Sequence, residues 1–356
     1  MNAINLLLLS VALYGIGGIL SLLLGGSKKV ARFTSGWSGL IAAGLGVFAA
    51  LKALVSLNPD IVNLFSIPPF GWLGLHMDAL SAFLVGLIAL VGAGASIYSL
   101  SSKEVTGFIG FLTNLFLATM LLVVTVNNAF FFMIFWEMMT LVTYLLVIWE
   151  SDNEETMRTG YIYMLVAHIG AALILVAFLT LYYKTSSFDF GFWRLAWLSS
   201  GIKGLVFLLA FIGFGAKAGM VPLHFWAPGA YAAAPDHISA LMASVMKKTA
   251  IYGFLRICID IIGPIGWGWG FMVLDSTGSS DGQIYRLENE QATKYLTRWD
   301  KSSLCIGGAS FHGLARHSER SRRFYSALEY LDSRSCHRAH LPHSRSAARR
   351  RLYGAR

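Results

Sequence analysis

The sequence carries little charge for its length. Only 13% of its 356 residues are Asp, Glu, Lys or Arg, whereas 56% are hydrophobic and the mean hydropathy is +0.60. Soluble globular domains usually contain about 25% charged residues. The composition therefore excludes an ordinary soluble domain and predicts an integral membrane protein.

Cysteine is also scarce. The chain has three cysteines, Cys258, Cys305 and Cys336, and they show neither a metal-ligand spacing nor a paired motif. This pattern argues against an iron–sulfur cluster, a zinc site and a disulfide framework. We expect no metal, no cofactor and no catalytic residue in this chain.

The net charge of +9 is unevenly distributed. From Asp275 onward the chain has 15 Lys and Arg against 8 Asp and Glu, and before Asp275 it has 13 against 11. The excess of positive charge therefore belongs to the last 82 residues. It gives no reason to expect that the main body binds nucleic acid.

Eight apolar runs are long enough to cross a bilayer, whose core of about 30 Å needs roughly 20 apolar residues as a helix. The first run has no basic region before it and no clear cleavage site, so we expect a retained helix rather than a signal peptide. The pattern predicts an all-α, polytopic membrane bundle of about eight transmembrane helices. The predicted spans are 4–24, 37–57, 77–100, 108–126, 129–149, 160–183, 204–220 and 238–262.

Lys and Arg in the short loops favour one orientation. Cytoplasmic loops are enriched in these residues, so the N-terminus is expected on the side opposite the cytoplasm. The membrane is expected to be the cell inner membrane. Five basic residues follow the first, third and fifth spans: Lys28, Lys29, Arg32, Lys103 and Arg158. Three lie on the other side of the membrane: Lys184, Arg194 and Lys203.

Three regions are expected along the chain. Residues 1–106 hold the first three spans, residues 107–262 hold the next five, and residues 263–356 begin like a ninth helix and then become a basic tail. Because apolarity stops abruptly inside that ninth helix, we interpret the tail first as an out-of-frame translation. A disordered tail without function and a lipid-binding basic tail are the alternatives.

The seventh span is interrupted by residues that lipid does not tolerate. Lys217 precedes Pro222 by five residues, and His224 and His237 flank the interruption. Buried charge and missing backbone hydrogen bonds are accepted in a bilayer only inside protein or beside water. The stretch therefore predicts an ion or proton path, although each histidine could instead cap the loop.

Further charged residues lie inside neighbouring spans. Glu137 is near the middle of the fifth span, and it needs either a cationic partner or a proton. Lys217 is a candidate partner, although a structural ion pair or a lysine reaching the membrane surface would be the simpler readings. Lys247 and Lys248 are adjacent in the eighth span and point about 100° apart, so one can face the path. His168 in the sixth span is either a relay or a packing residue.

These residues lie in recognisable motifs. WEMMTLVTYLL, GFGAKAGMVPLHFWAPGAYAAAP and SALMASVMKKTAIYGFLRI resemble the antiporter-like proton-translocating subunits of respiratory complex I, of cation/proton antiporters and of membrane-bound hydrogenases. The resemblance covers roughly residues 70–270, and the chain looks most like the hydrogenase-4 component B type of formate-hydrogenlyase hydrogenases. The motifs are specific for the superfamily and less specific for one complex.

The resemblance implies roles for individual residues. Glu137 matches a glutamate that pairs with the lysine matched by Lys217, Lys248 matches the lysine of the eighth helix, and His168 matches a histidine of hydrogenase-type members. The implied partners are other membrane subunits and a peripheral iron–sulfur or hydrogenase arm. Members of the family have about fourteen helices with two inverted repeats, and this chain is expected to contain only the first.

Three functions follow as hypotheses. The first is a truncated or frameshifted membrane subunit of a hydrogenase-like or NADH-dehydrogenase-like complex, which moves protons when partner subunits transfer electrons. The second is a sodium/proton antiporter subunit that works without redox chemistry. The third is a non-conducting scaffold fragment or the product of a degraded gene.

Overall fold

The computed structural model describes residues 2–56, 59–102, 105–149 and 153–263. The interrupted ninth helix and the basic tail expected from residue 263 onward lie outside the described residues, apart from Gly263 itself. Within the described ranges the chain is a bundle of apolar helices with one small β-hairpin. The predicted all-α membrane bundle is confirmed.

Helices overlap all eight predicted spans. The elements in chain order are α1 Ala3–Leu23, α2 Lys28–Ser56, β1 Asp60–Ile67, β2 Gly71–Met77, α3 Ala79–Ser101, α4 Gly107–Val123, α5 Ala129–Ile148, α6 Glu154–Thr185, α7 Phe190–Leu195, α8 Ser200–Ala218, a 3₁₀ turn Leu223–Trp226, α9 Ala227–Ala233, α10 Asp236–Leu241, a π turn Met242–Met246, α11 Lys247–Leu255 and a second π turn Arg256–Ile261. We call residues 200–233 the interrupted helix and residues 236–261 the terminal helix.

The expected number of eight spans is not confirmed. Among the described residues, six helices are long and apolar enough to cross a membrane: α1, α2, α3, α5, α6 and the interrupted helix. Helix α4 is apolar but has only 17 residues. The terminal helix changes between α and π geometry and contains Lys247, Lys248, Arg256 and Asp260. The number of membrane-spanning helices is lower than predicted because α4 is short and the terminal helix contains several charged residues.

A β-hairpin occupies most of the segment between the second and third predicted spans. Strands β1 and β2 pair antiparallel, with Asp60 opposite Met77 and Ile67 opposite Gly71. The turn between them contains Pro68 and Pro69, which cannot continue a ladder because proline lacks an N–H. The segment between α6 and α8 contains a short helix, α7.

Helix starts are defined by side-chain caps. Asp78 Oδ1 accepts a hydrogen bond from the Ser81 backbone N–H at 2.9 Å and begins α3, and Asn128 Oδ1 accepts from the Phe130 N–H at 2.9 Å and begins α5. Each cap satisfies an N–H that has no partner within its own helix. These caps fix where the charged side chains of the next helices lie.

Candidate functional site

The break in the interrupted helix begins earlier than Pro222. Helix α8 ends at Ala218, and Gly219 follows with φ +73°, a left-handed conformation that glycine adopts without a steric penalty. The carbonyl of Ala216 lies in the last turn and has no partner along the helix. The Trp226 indole N–H donates to it at 2.8 Å, so the break is closed by a side chain from its far side.

Two glycines bring α6 and α8 together near the break. A Cβ placed on Gly170 would lie 2.8 Å from the Gly213 carbonyl oxygen, and one on Gly213 would lie 2.7 Å from the Gly170 oxygen. Only residues without side chains permit this approach. The close crossing holds Lys217, one turn beyond Gly213, against Tyr163 of α6.

Lys217 is the centre of the site. It is 2% exposed, and its ammonium donates hydrogen bonds to the Thr140 hydroxyl and, at 3.3 Å, to the Tyr163 hydroxyl. Its Nζ also lies 5.3 Å from the centroid of the Trp136 ring and 5.6 Å from that of Tyr163. Thr140 donates its own proton to the Trp136 carbonyl, so its oxygen is turned toward Lys217. Hydroxyls and ring faces, rather than a carboxylate, contact this buried cation.

Glu137 does not contact Lys217 in this structure, and the pairing of the two that the resemblance implies stays a prediction. Glu137 lies one turn before Thr140 on α5, and Thr140 occupies the contact position on Lys217. The ionic contact of Glu137 is instead to His168, with Oε2 and Nε2 3.5 Å apart.

The contact between Glu137 and His168 depends on whether the histidine is protonated. His168 Nδ1 lies 2.9 Å from the Met164 carbonyl oxygen, which can only accept, so Nδ1 carries a hydrogen. Neutral His168 would then present a lone pair at Nε2 to the carboxylate. The contact is attractive only when His168 or Glu137 holds an additional proton.

The two adjacent lysines of the terminal helix face in different directions. Lys247 is 5% exposed, and its Nζ lies 5.1 Å from the Tyr231 ring centroid, beside the break at Gly219. Lys248 lies on an exposed face of the described residues. The path role that the resemblance implies for Lys248 stays a prediction, and the structure adds Lys247 as the lysine beside the break.

The remaining two predicted residues lie apart. His224 is at the break, and its Nδ1 is buried without a hydrogen-bond partner among the described residues. His237 is at the start of the terminal helix, where its ring stacks on Tyr98 of α3. The structure thus brings Glu137 into contact with His168, places His224 at the break near Lys247, and places His237 beside α3.

Sequence reasoning missed a second charged cluster, centred on Arg256. This residue is 4% exposed and forms two hydrogen bonds to Asp78, at 2.6 and 2.8 Å, and one to Asp260, at 3.0 Å. Arg194 of α7 also bonds Asp260, at 2.7 Å. The available signal was the i,i+4 spacing of Arg256 and Asp260 in an apolar helix, because unpaired charges are costly there.

The cluster affects groups near the membrane surface. Burial opposes ionisation of Asp78, but hydrogen bonds from Arg256 and from Ser81 outweigh it and hold the pKa of Asp78 below its usual range. Burial also lowers the pKa of His76, against the opposing effect of Asp78. The cluster ties the start of α3 to the end of the terminal helix.

Fold and site together define a polytopic, antiporter-like membrane subunit, and comparisons with known proteins agree. Residues 126–275 match the family described as "NADH:quinone oxidoreductase/Mrp antiporter, TM". This match confirms the resemblance to antiporter-like membrane subunits that the motifs indicated.

Two curated relatives and one solved structure show the extent of the likeness. The chain is 38% identical to Hydrogenase-4 component B of Escherichia coli (strain K12), over 89% of this chain and 49% of that protein. It is 33% identical to NADH-quinone oxidoreductase subunit M of the same strain, over 55% of this chain and 41% of that protein. A chain of respiratory complex I from Thermus thermophilus with bound NADH has the same fold, with a TM-score of 0.61 and 22% sequence identity. The match covers 72% of this chain and 53% of that chain. The chain spans about half the length of the curated relatives it matches.

Proposed function

We propose that the chain translocates protons across the cell inner membrane, coupled to electron transfer in partner subunits of a hydrogenase-like or NADH-dehydrogenase-like complex. The chain is a multi-pass membrane protein of a family whose curated relatives are named as components or subunits. We propose other membrane subunits as its neighbours and an iron–sulfur arm as the source of electrons. Glu137, His168, Lys217, Lys248, His224 and His237 are the proposed path residues.

The buried Lys217 carries this proposal. An ammonium removed from water needs compensation, and here it comes from two hydroxyls and two ring faces without a touching carboxylate. We therefore expect the charge on Glu137 to determine how strongly Lys217 holds its proton. For unit charges about 5–10 Å apart at an effective dielectric constant of about 20, the interaction is roughly 2–3 kcal/mol.

This interaction is large enough to move protons. A change of about 1.4 kcal/mol alters the proton occupancy of a group tenfold. Protonation of the Glu137–His168 pair therefore weakens the hold on the Lys217 proton by more than tenfold. Electron transfer in a partner that alters this pair would release the proton from Lys217, and return of the pair to its charged state would favour reloading.

Residues 1–106 and 107–262 are proposed as separate regions. The first supplies the helices that flank the path, and the second contains Glu137, His168 and both terminal-helix lysines. Sodium/proton antiport is the second candidate, because the family description includes Mrp antiporters. It would use the same Glu137 and Lys217 but would need no electron transfer.

Inverted membrane vesicles that contain the whole complex separate these functions. Proton uptake is followed by quenching of an acridine dye after addition of NADH, hydrogen or formate, with sodium present or absent. The proposal expects uptake that requires the electron-transferring partners, does not require sodium and falls in Glu137→Gln. Glu154→Gln, an exposed glutamate at the start of α6, is the matched control.

Two results would count against the proposal. Unchanged proton uptake in Glu137→Gln, at an unchanged electron-transfer rate, would remove Glu137 from the path. Sodium-dependent proton exchange that persists after loss of the partner subunits would establish antiport instead.

A further inference from the structure

The short helix α7 is apolar on two sides rather than one. Phe190 and Trp193 are buried, whereas Phe192 is 61% exposed and Leu195 is 86% exposed. Trp197, two residues after the helix, is 92% exposed, which makes it the most exposed large apolar side chain among the described residues. We call residues 190–199 the α7 segment. It packs on the bundle with one side and turns a second apolar side outward.

Contacts of the inner side fix the direction of the outer side. The Trp193 ring lies 5.4 Å from that of Phe178 in α6, and its indole N–H donates to the Ser187 carbonyl at 2.7 Å. Arg194 donates to Asp260 at the end of the terminal helix, at 2.7 Å. The segment is therefore held by two different helices, and its outward apolar side chains are a fixed feature of the surface.

The α7 segment lies where spanning helices begin and end. The backbone N–H of Ala129, at the start of α5, donates to the carbonyl of Phe188, just before the segment, at 2.8 Å. Helix α6 ends shortly before the segment and α8 begins within one residue after it. Helices α5, α6 and the interrupted helix are all apolar and long enough to cross a membrane. Their shared end marks a membrane surface, opposite the α1–α2 loop.

The chemistry of the outer side fits the headgroup region of a bilayer. Trp and Tyr are enriched at membrane–water interfaces, because their rings are apolar and their N–H or O–H groups are polar. Trp197 meets this description, and so does Tyr183 at the end of α6, with Lys184 Nζ 5.2 Å from its ring centroid. The segment contains no Asp or Glu, and the carboxylate that it contacts, Asp260, is held by two arginines. Phosphate groups would therefore meet little opposing charge.

We propose that the α7 segment binds the lipid–water interface of the membrane. Phe192 and Leu195 enter the acyl chains, and the indole of Trp197 lies at the headgroups. Lipid suits this side better than water, because transfer of large apolar side chains out of water is favourable. The segment also anchors the end of the terminal helix at the membrane surface, since Arg194 contacts Asp260. This role does not depend on whether the chain moves protons.

Spin labels measure where the outer side lies. Leu195→Cys and Trp197→Cys are made in the full chain, with the native Cys258, Cys305 and Cys336 replaced by serine. Both positions are exposed, so a label there should not disturb packing. The assembled complex is placed in nanodiscs of phosphatidylethanolamine and phosphatidylglycerol. Collisions of each label with oxygen, which concentrates in lipid, are compared with collisions with a nickel chelate, which stays in water.

Lipids with nitroxides at known depths calibrate this comparison, and Glu154→Cys, exposed at the start of α6, is the control position in water. We expect oxygen collisions to predominate at Leu195 and Trp197, at a depth within about 5–10 Å of the headgroup boundary. Predominant nickel collisions, as at Glu154, would mean that this side lies in water. Few collisions with either reagent would mean that a protein subunit covers it. Either of these two results would overturn the proposal.

Hydrogen exchange tests whether lipid contact holds the segment in place. Leu195→Asp puts a charge on the outer side, and Ser200→Asp adds the same charge at an exposed position at the start of α8. Backbone amides of residues 190–195 should exchange several-fold faster in Leu195→Asp and at the unsubstituted rate in Ser200→Asp. Equal exchange in all three proteins would overturn the anchoring role.

Discussion

Replacing Asp78 by asparagine should destabilise the protein without removing a helix cap. Asp78 has two tasks in the structure: it caps α3 through the Ser81 N–H and it pairs with Arg256 through both carboxylate oxygens. Asparagine caps helices about as well as aspartate. The substitution therefore removes the charge that neutralises Arg256 and leaves the cap in place.

The magnitude follows from the contacts of Arg256. Breaking a buried ion pair by removing one partner typically costs about 3–5 kcal/mol. Arg256 keeps Asp260 at 3.0 Å, together with the hydroxyls of Ser81 and Tyr252, and Asp78 is partly exposed. We therefore expect a loss of about 2–3 kcal/mol, the upper range for a hydrogen bond to a charged group.

The assay is reversible unfolding in mixed detergent micelles by titration with sodium dodecyl sulfate, followed by circular dichroism. Asp189→Asn is the control, because Asp189 caps α7 through the Gly191 N–H and has no arginine contact among the described residues. It should cost less than about 1 kcal/mol. If Asp78→Asn and Asp189→Asn lower the free energy of unfolding equally, the charge of Asp78 does not stabilise the protein beyond its helix cap, and the argument is refuted.

The same pair predicts a pH dependence. Because the folded-state pKa of Asp78 is held below its usual range, its contribution to stability is fully present above the unfolded pKa of about 4 and is lost as the pH falls through the folded pKa. The difference between the unsubstituted protein and Asp78→Asn should stay constant from about pH 8 to pH 5 and shrink below about pH 4. A difference that disappears between pH 7 and pH 5 would contradict this assignment.

Three further predictions concern the site. Tyr163→Phe removes one hydroxyl acceptor from the buried lysine but keeps the ring, so proton uptake should fall while the free energy of unfolding changes by about 1 kcal/mol. Gly213→Ala places a Cβ 2.7 Å from the Gly170 oxygen and should cost about 1–3 kcal/mol in detergent unfolding, whereas Gly201→Ala, with open space around it, should cost little. His168→Asn should change the pH profile of proton uptake but not thermal stability, since His168 is exposed; an unaltered profile would exclude it as a relay.

Much of the fold could be predicted from apolar length. Each predicted span overlaps a helix because a bilayer leaves few ways to satisfy a backbone. The hairpin was missed because its two strands, Asp60–Ile67 and Gly71–Met77, show no regular alternation of apolar and polar residues. The break was expected at Pro222, but the helix already ends at Ala218 because Gly219 adopts a left-handed conformation. A glycine can adopt this conformation but does not have to, so the sequence alone does not show where the helix ends.

The site was predicted less completely. A charged residue within an apolar run is visible in a sequence, so Glu137, His168 and Lys217 could be named. Which of them touch could not, because contact depends on Thr140, a residue whose hydroxyl gave no signal of its own. The pairing of Asp78 with Arg256 joins residues 178 positions apart, and nothing in a single sequence links them.

The lysines of the terminal helix illustrate a further difficulty. Adjacent residues on a helix differ by about 100° in direction, so a sequence shows that one of Lys247 and Lys248 faces inward but does not choose between them. The structure buries Lys247 beside Tyr231 and leaves Lys248 exposed within the described residues. The role of Lys248 depends on what packs against that face, and it remains a prediction.

The most direct test of the central claim is the proton uptake of Lys217→Met in vesicles that contain the whole complex, measured against Lys184→Met. Lys184 is an exposed lysine at the end of α6, so its replacement controls for loss of positive charge. We predict that uptake in Lys217→Met falls at least about tenfold, since a proton-transferring group is removed, and that Lys184→Met behaves like the unsubstituted protein. Undiminished uptake in Lys217→Met, with the subunit present in normal amount, would contradict the claim that protons pass through this lysine.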